Sequence, residues 1–194
     1  MRFTLLPATA AWQHRDARSG FEVAFFHAPD ADGRLVEGYT TAVESGEAFA
    51  VEYRIRLDAA GRTRTAHVRG RSSAGARTTL LEAGGEGHWL VDGARAPWLD
   101  GCLDVDLESS AMTNALPVRR MELPVGARAE APASYVRALG LGVERLDQTY
   151  VRRSDDGSRE CYDYSAPAFT FGCRLGHDEP GLPVDYPGIA VRVG

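Results

Sequence analysis

The chain has 194 residues, is 44% hydrophobic and 25% charged, and carries a formal charge of −5. That length suits one sizeable globular domain spanning residues 1–194 and is short for two, and the apolar share is too high for a disordered chain. All 22 basic residues are arginine, which excludes a lysine Schiff base, a lysine nucleophile and the Gly-Lys-Ser/Thr phosphate loop.

The stretch from Met1 to Trp12 is broken by Pro7 and lacks the apolar core of a signal peptide. Turn signals then recur at Asp32-Gly33, Ser45-Gly46, Ala60-Gly61, Gly75, Gly84-Gly85 and Asp92-Gly93. The segments between them alternate with period 2. Phe21, Val23 and Phe25 alternate with Glu22 and Ala24. Val51, Tyr53, Ile55 and Leu57 oppose Glu52, Arg54 and Arg56. Thr63, Thr65, His67, Arg69 and Arg71 form a polar face opposite Ala66 and Val68. Thr78 to Glu82 and His88 to Asp92 are shorter strands of the same kind. This is a meander of half-buried antiparallel strands, folded into a sandwich, roll or barrel.

Asp104 to Leu116 mixes a polar strand end with a long loop, and Pro117 to Leu123 reads as a strand. Pro132 to Leu139, with Pro near its start and Gly140 past its end, reads as a short helix. Asp147 to Arg153, Arg159 to Ser165 and Ala168 to Arg174 are three further strands. Asp156-Gly157 joins the first two, and Pro167 marks the break before the third. Gly181 to Val193 is a β-type tail interrupted at Pro187-Gly188.

The partner classes follow from charge and cysteine usage. A net acidic chain without a basic cluster argues against a nucleic-acid partner, whose affinity rests on phosphate neutralisation. No window approaches the roughly 20 apolar residues of a membrane span, so stable membrane insertion is not expected. Cys102, Cys161 and Cys173 are odd in number and lack C-x-x-C spacing, which favours reduced thiols in the cytoplasm. His14, His27, His67, His88 and His177 are scattered, so neither a metal nor a cofactor is expected.

The segment from Leu99 to Met121 holds the motif residues. If Gly101 to Leu107 is a strand, Cys102, Asp104 and Asp106 share one face. Two carboxylates so placed repel unless donors or cations answer them, and Arg119 or Arg120 is the expected partner. One reading makes this a polar floor that holds a sugar or phosphate head group through bidentate arginine geometry. The other makes it an internal salt bridge that fixes strand register. Thr113 and Asn114 either cap the turn before Pro117 or touch a ligand. Trp89 and Trp98 bracket a turn, and an indole either stacks on a sugar ring or fills a core. Tyr162 and Tyr164 share a strand face, and Phe169 and Phe171 continue the aromatic run.

Three motifs carry a resemblance: Gly101-Cys102-Leu103-Asp104-Val105-Asp106-Leu107, then Thr113-Asn114-Ala115-Leu116-Pro117-Val118-Arg119-Arg120, and Gly181-Leu182-Pro183-Val184-Asp185-Tyr186-Pro187-Gly188. With Gln148-Thr149-Tyr150 and Tyr162-Asp163-Tyr164, they resemble the putative glycolipid-binding family of bacterial proteins over most of the chain. Ser109-Ser110-Ala111-Met112 departs from the expected Thr-Pro-Phe-like approach to Thr113.

The resemblance implies a mainly β fold: a curved antiparallel sheet forming an open β-barrel or β-roll with one or two short helices, similar to the periplasmic lipoprotein carriers. It implies an amphiphilic small molecule or glycolipid in the concavity, bound without turnover. The candidate ligand-binding residues are Trp89, Asp104, Asp106, Thr113, Asn114, Arg119, Arg120 and Tyr164. Two alternatives stand beside this. In one, Asp104 and Asp106 are the acid and base of a hydrolase or isomerase acting on a sugar- or lipid-like substrate. An arginine partner argues against it by holding both carboxylates ionised. In the other, the chain is a structural domain with a filled core. The 108–116 loop is placed either to leave the concave face open or to plug it.

Overall fold

A computed structural model describes residues 3–84 and 87–194. Met1, Arg2 and the Gly85 half of the expected Gly84-Gly85 turn lie outside the described residues. The first half of the chain forms β1 (Thr9–His14), β2 (Ser19–Phe26), β3 (Arg34–Glu44), β4 (Glu47–Leu57), β5 (Thr63–Ser72), β6 (Gly75–Ala83), β7 (Trp89–Val91) and β8 (Ala94–Arg95). After a 3-10 turn at Pro97–Leu99 come β9 (Asp104–Leu107), a second 3-10 turn (Met112–Asn114) and the helix α1 (Ala115–Met121). There follow β10 (Arg128–Glu130), β11 (Ala133–Val136), β12 (Val143–Leu146), β13 (Thr149–Arg152) and β14 (Glu160–Ala166). A 3-10 turn (Pro167–Phe169) leads to β15 (Phe171–His177), β16 (Pro183–Tyr186) and β17 (Ala190–Arg192).

Fourteen of these strands form one curved antiparallel sheet in the order β10-β13-β14-β15-β16-β17-β1-β2-β3-β4-β5-β6-β7-β8. Its two edges, β10 and β8, do not pair with each other among the described residues, so the barrel is open. The Ser45-Gly46 turn between β3 and β4 has positive φ at both positions, +51° and +82°. That geometry matches the right-handed twist of the flanking strands. A second sheet, β12-β11-β9, contains a parallel β11/β9 pair and packs with α1 into one buried core with the large sheet. Thr63 ties it to β5: its N–H donates to the Leu103 carbonyl (2.9 Å), and its hydroxyl oxygen accepts the Val105 N–H (3.1 Å).

Alternation on β4 is as expected, with Phe49, Val51, Tyr53, Ile55 and Leu57 all buried. On β2 the buried face is the one carrying Glu22 and Ala24, while Phe21 and Phe25 are exposed. The Tyr53 ring lies directly against Gly38 of β3, where a Cβ atom would stand 2.1 Å from the ring; only glycine admits that contact. The expected polar face of β5 needs one correction. Thr63 is buried, because a bulge at Arg56/Leu57 places two β5 residues against one step of β4 and turns Thr63 inward.

Two elements differ in kind from the expectation. Pro117 to Leu123 is not a strand: α1 covers Ala115–Met121. Pro117 falls in its first turn, where helical N–H groups have no intrahelical acceptor, so a missing N–H does no harm. Glu122 ends the helix in a left-handed conformation (φ +43°). Pro132 to Leu139 is not a helix: Ala133–Val136 is β11, paired on both sides. All four β11 residues are buried, so neither face supplies the polar alternation that marks a half-buried strand. Ala168 to Phe171 is also adjusted, since residues 167–169 form a 3-10 turn and β15 begins at Phe171.

Candidate functional site

The 108–116 loop plugs the concave side. Residues 109–118 are all buried. The anchor is Glu22, a carboxylate on the inward face of β2. Its Oε2 accepts the N–H groups of Ala111 (2.7 Å) and Met112 (3.4 Å), and its Oε1 accepts the Tyr53 hydroxyl (2.8 Å) and the Ser110 hydroxyl. Burial raises the proton affinity of Glu22, and these four donors oppose the rise. Thr40 donates to the Ser109 carbonyl (2.9 Å) and Arg18 to the Glu108 carbonyl (2.7 Å). Glu22 was not among the candidates, although an acid within the apolar run Phe21 to Phe26 is a visible signal.

The two motif carboxylates have separate fates. Asp104 is clasped by Arg120, whose Nε lies 3.1 and 3.2 Å from the two carboxylate oxygens and whose Nη2 lies 2.6 Å from Oδ2. Burial pushes the Asp104 carboxyl up, and Arg120 pulls it back. Among the described residues no arginine pairs with Asp106. It accepts the Thr113 hydroxyl at 2.9 Å and the Gln148 amide, and burial pushes its carboxyl up to about 6. The expectation that arginine holds both carboxylates ionised is therefore corrected for Asp106. The Gln148 amide also donates to Tyr164 Oη (3.1 Å), and Tyr150 Oη donates to Asn114 Oδ1 (3.0 Å).

Two clefts flank the plug. One, of about 340 Å³, is walled by aromatic rings. Tyr135 and Phe169 have centroids 5.4 Å apart, and Tyr164, Phe171 and Tyr186 pack at 6.0 to 6.2 Å. Asp106 and Asn114 are at its floor, with Arg18 and Arg137 beside them. The Arg137 guanidinium lies 5.2 Å from the ring centroids of both Tyr135 and Phe169. The other cleft, of about 360 Å³, lies between α1 and the starts of β3 and the 58–61 turn, and includes Arg34, Arg119 and Arg120.

The candidate residues thus divide. Asp106, Asn114 and Tyr164 meet at the aromatic cleft, and Arg119 and Arg120 line the other. Asp104 and Thr113 are buried behind these surfaces and serve the internal network. Trp89 is fully buried, with its ring N–H donating to the Cys102 carbonyl (2.9 Å), so it fills the core and reaches neither cleft. Trp98 is exposed. Among the described residues Arg119 makes no ion pair. Its guanidinium donates to the Pro180 carbonyl and lies 5.6 Å from the Phe3 ring centroid. Tyr135, Phe169, Phe171, Tyr186 and Arg137 were not among the candidates. Tyr135 lies on β11, where all four residues are buried and local spacing does not mark a strand, and the others come together only through strand order.

An open, curved antiparallel sheet with a plugged concave side defines a β-barrel-like protein. The chain belongs to the family described as "Putative glycolipid-binding", which matches residues 9–192. A solved structure of a DUF1089 family protein from Pseudomonas aeruginosa is 34% identical at a TM-score of 0.69, over 98% of this chain and 95% of that one. A beta-barrel-like protein of the DUF1849 domain from Brucella abortus has a TM-score of 0.54 at 10% identity, over 99% and 95% of the two chains, a likeness of fold alone. None of the curated proteins matches the chain.

Proposed function

We propose that this chain binds an amphiphilic, glycolipid-like molecule at the aromatic cleft beside the plug, without turning it over. The observation that carries this reading is the convergence of five aromatic rings on a cleft floored by Asp106 and Asn114. Aromatic faces stack on the apolar faces of sugar rings, and the carboxylate and amide oxygens accept sugar hydroxyls. With the concave interior filled by residues 109–118, the ligand sits at the cleft and not deep within the barrel. The family description supports a binding role. Among the described residues no helix is long and apolar enough to cross a membrane, which says nothing about strands.

The test is native mass spectrometry with lipid extraction on protein purified from its own host. A bound glycolipid or related amphiphile is expected in near-stoichiometric amount. Several preparations free of lipid, together with failure to bind a fluorescent fatty acid, would sink the reading.

Turnover by Asp104 and Asp106 draws support from one observation, the raised proton affinity of Asp106 at a cleft. Against it, Asp104 is sealed behind Arg120 and lines neither cleft. If Asp106 is a general acid, Asp106→Asn abolishes hydrolysis of any substrate found on a glycoside and ester panel; an unchanged rate retires that role.

A further inference from the structure

The second cleft shares no lining residue with the aromatic one. Its apolar floor is built from Phe26, Val36, Leu57, Met112, Leu116 and Leu182, all buried or at the edge of burial. Arg34, Arg119 and Arg120 stand around it. Arg120 is neutralised by Asp104. The other two guanidiniums are not. Arg119 donates to the carbonyls of Pro180 and Thr4 and lies over the Phe3 ring, and among the described residues it makes no salt bridge. Arg34 makes no side-chain hydrogen bond or salt bridge among the described residues.

Two carboxylates are also near. Asp58 caps its own turn, accepting the N–H groups of Ala60 and Arg62 at 2.9 Å. Glu122 follows the helix and is exposed. Neither pairs with the three arginines. Arg34 and Arg119 line the same cleft. Burial lowers the proton affinity of Arg119 and the charge on Arg34 lowers it further, while Glu122 and Asp178 oppose the effect. Two half-buried cations that repel each other over an apolar floor are stabilised by a shared anion. Gly181 lets Phe3 and Arg119 close over this region: a Cβ there, at φ +80°, would stand 2.8 Å from Phe3 and 3.0 Å from Arg119.

We infer that this cleft is a second, independent binding site for a single-chain amphiphile with an anionic head, the head held between Arg34 and Arg119 and the acyl chain lying on Val36, Leu57 and Leu116. A carboxylate and a phosphate monoester both present oxygens to a guanidinium fork, so the shared chemistry is an oxyanion on an alkyl chain. The inference does not rest on the reading of the aromatic cleft.

The experiment is titration of the full chain with decanoate, decyl phosphate and decanol, followed by calorimetry and by NMR of methyl-labelled protein. At least one of the two anions is expected to bind more tightly than decanol, and which one binds identifies the head group. Arg34→Gln is expected to weaken the anion about tenfold or more while leaving decanol unchanged. In the unsubstituted protein, intermolecular contacts from the alkyl chain to the Leu116 methyls are expected, which keeps the test intact should the variant fail to fold. Octyl glucoside, a probe for the aromatic cleft, is expected not to displace the anion, so failure at one cleft is distinguishable from failure at the other. The inference is overturned if neither anion binds, if decanol binds as tightly, if Arg34→Gln leaves anion affinity unchanged, if the contacts fall elsewhere, or if octyl glucoside displaces the anion.

Discussion

Arg120, on the last turn of α1, grips both carboxylate oxygens of Asp104 on β9, 16 residues earlier in the chain. The pair fixes the helix against the small sheet and holds one wall of the second cleft. Asp104 is only 1% exposed, so removing Arg120 strands a buried charge. Arg120→Ala is expected to destabilise the chain by about 3–5 kcal/mol in urea denaturation, and Asp104→Leu combined with Arg120→Met to recover most of that loss. Equal losses from the single and double variants would contradict the account.

Glu22 holds the plug. Glu22→Ala leaves the Ala111 and Met112 N–H groups without their acceptor. Amide exchange at these two positions is expected to accelerate about tenfold or more, in step with a local loss of about 1–3 kcal/mol. Unchanged protection there, with faster exchange spread evenly over the sheet, would show that the plug stays in place without Glu22.

Asp106 sets a pH dependence of definite sign. Its carboxyl rises from 3.8 to about 6 in the folded chain. Between these values the folded chain holds a proton that the unfolded chain has released. The group's stabilising contribution is thus complete below the unfolded value and is lost as pH rises through the folded one. Relative to Asp106→Asn, the unsubstituted chain is expected to lose about 2–3 kcal/mol between about pH 4 and pH 7. Parallel stability curves for the two chains would refute the assignment.

His177 acts in the opposite direction. Its ring is fully buried against Tyr162, and among the described residues neither nitrogen has a hydrogen-bond partner of acceptable geometry, although the Asn114 backbone is close. Burial, and then the charge on Arg152, lower its proton affinity from 6.5 to about 3. Its neutral form is intact above the unfolded value, and stability is lost as pH falls below it. Between about pH 7 and pH 5 the unsubstituted chain is expected to lose about 2 kcal/mol relative to His177→Phe. A constant difference across that range would count against a buried neutral ring.

The parts legible in the sequence are those where one face is wet. Glu52, Arg54 and Arg56 expose the alternation of β4 because water lies on their side. Ala133–Val136 and Ala115–Val118 are covered all round, so periodicity is silent there and does not separate strand from helix. A pairing of Asp104 or Asp106 with Arg119 or Arg120 follows from their charges, but the pair that forms, Asp104 with Arg120, is set by α1 being a helix and not a strand. The inward turn of Thr63 depends on a bulge, and the clustering of Tyr135 with Phe169 depends on strand order, neither of which local spacing encodes.

The central claim is that the aromatic cleft binds a glycolipid-like amphiphile, and its most direct test is an amide and aromatic NMR titration with octyl glucoside below its micelle concentration. Saturable shifts confined to Tyr135, Tyr164, Phe169, Phe171 and Tyr186, weakened by Phe169→Ala, are expected. No shifts, or shifts scattered over the outer face at Phe21, Phe25 and Tyr39, would contradict it.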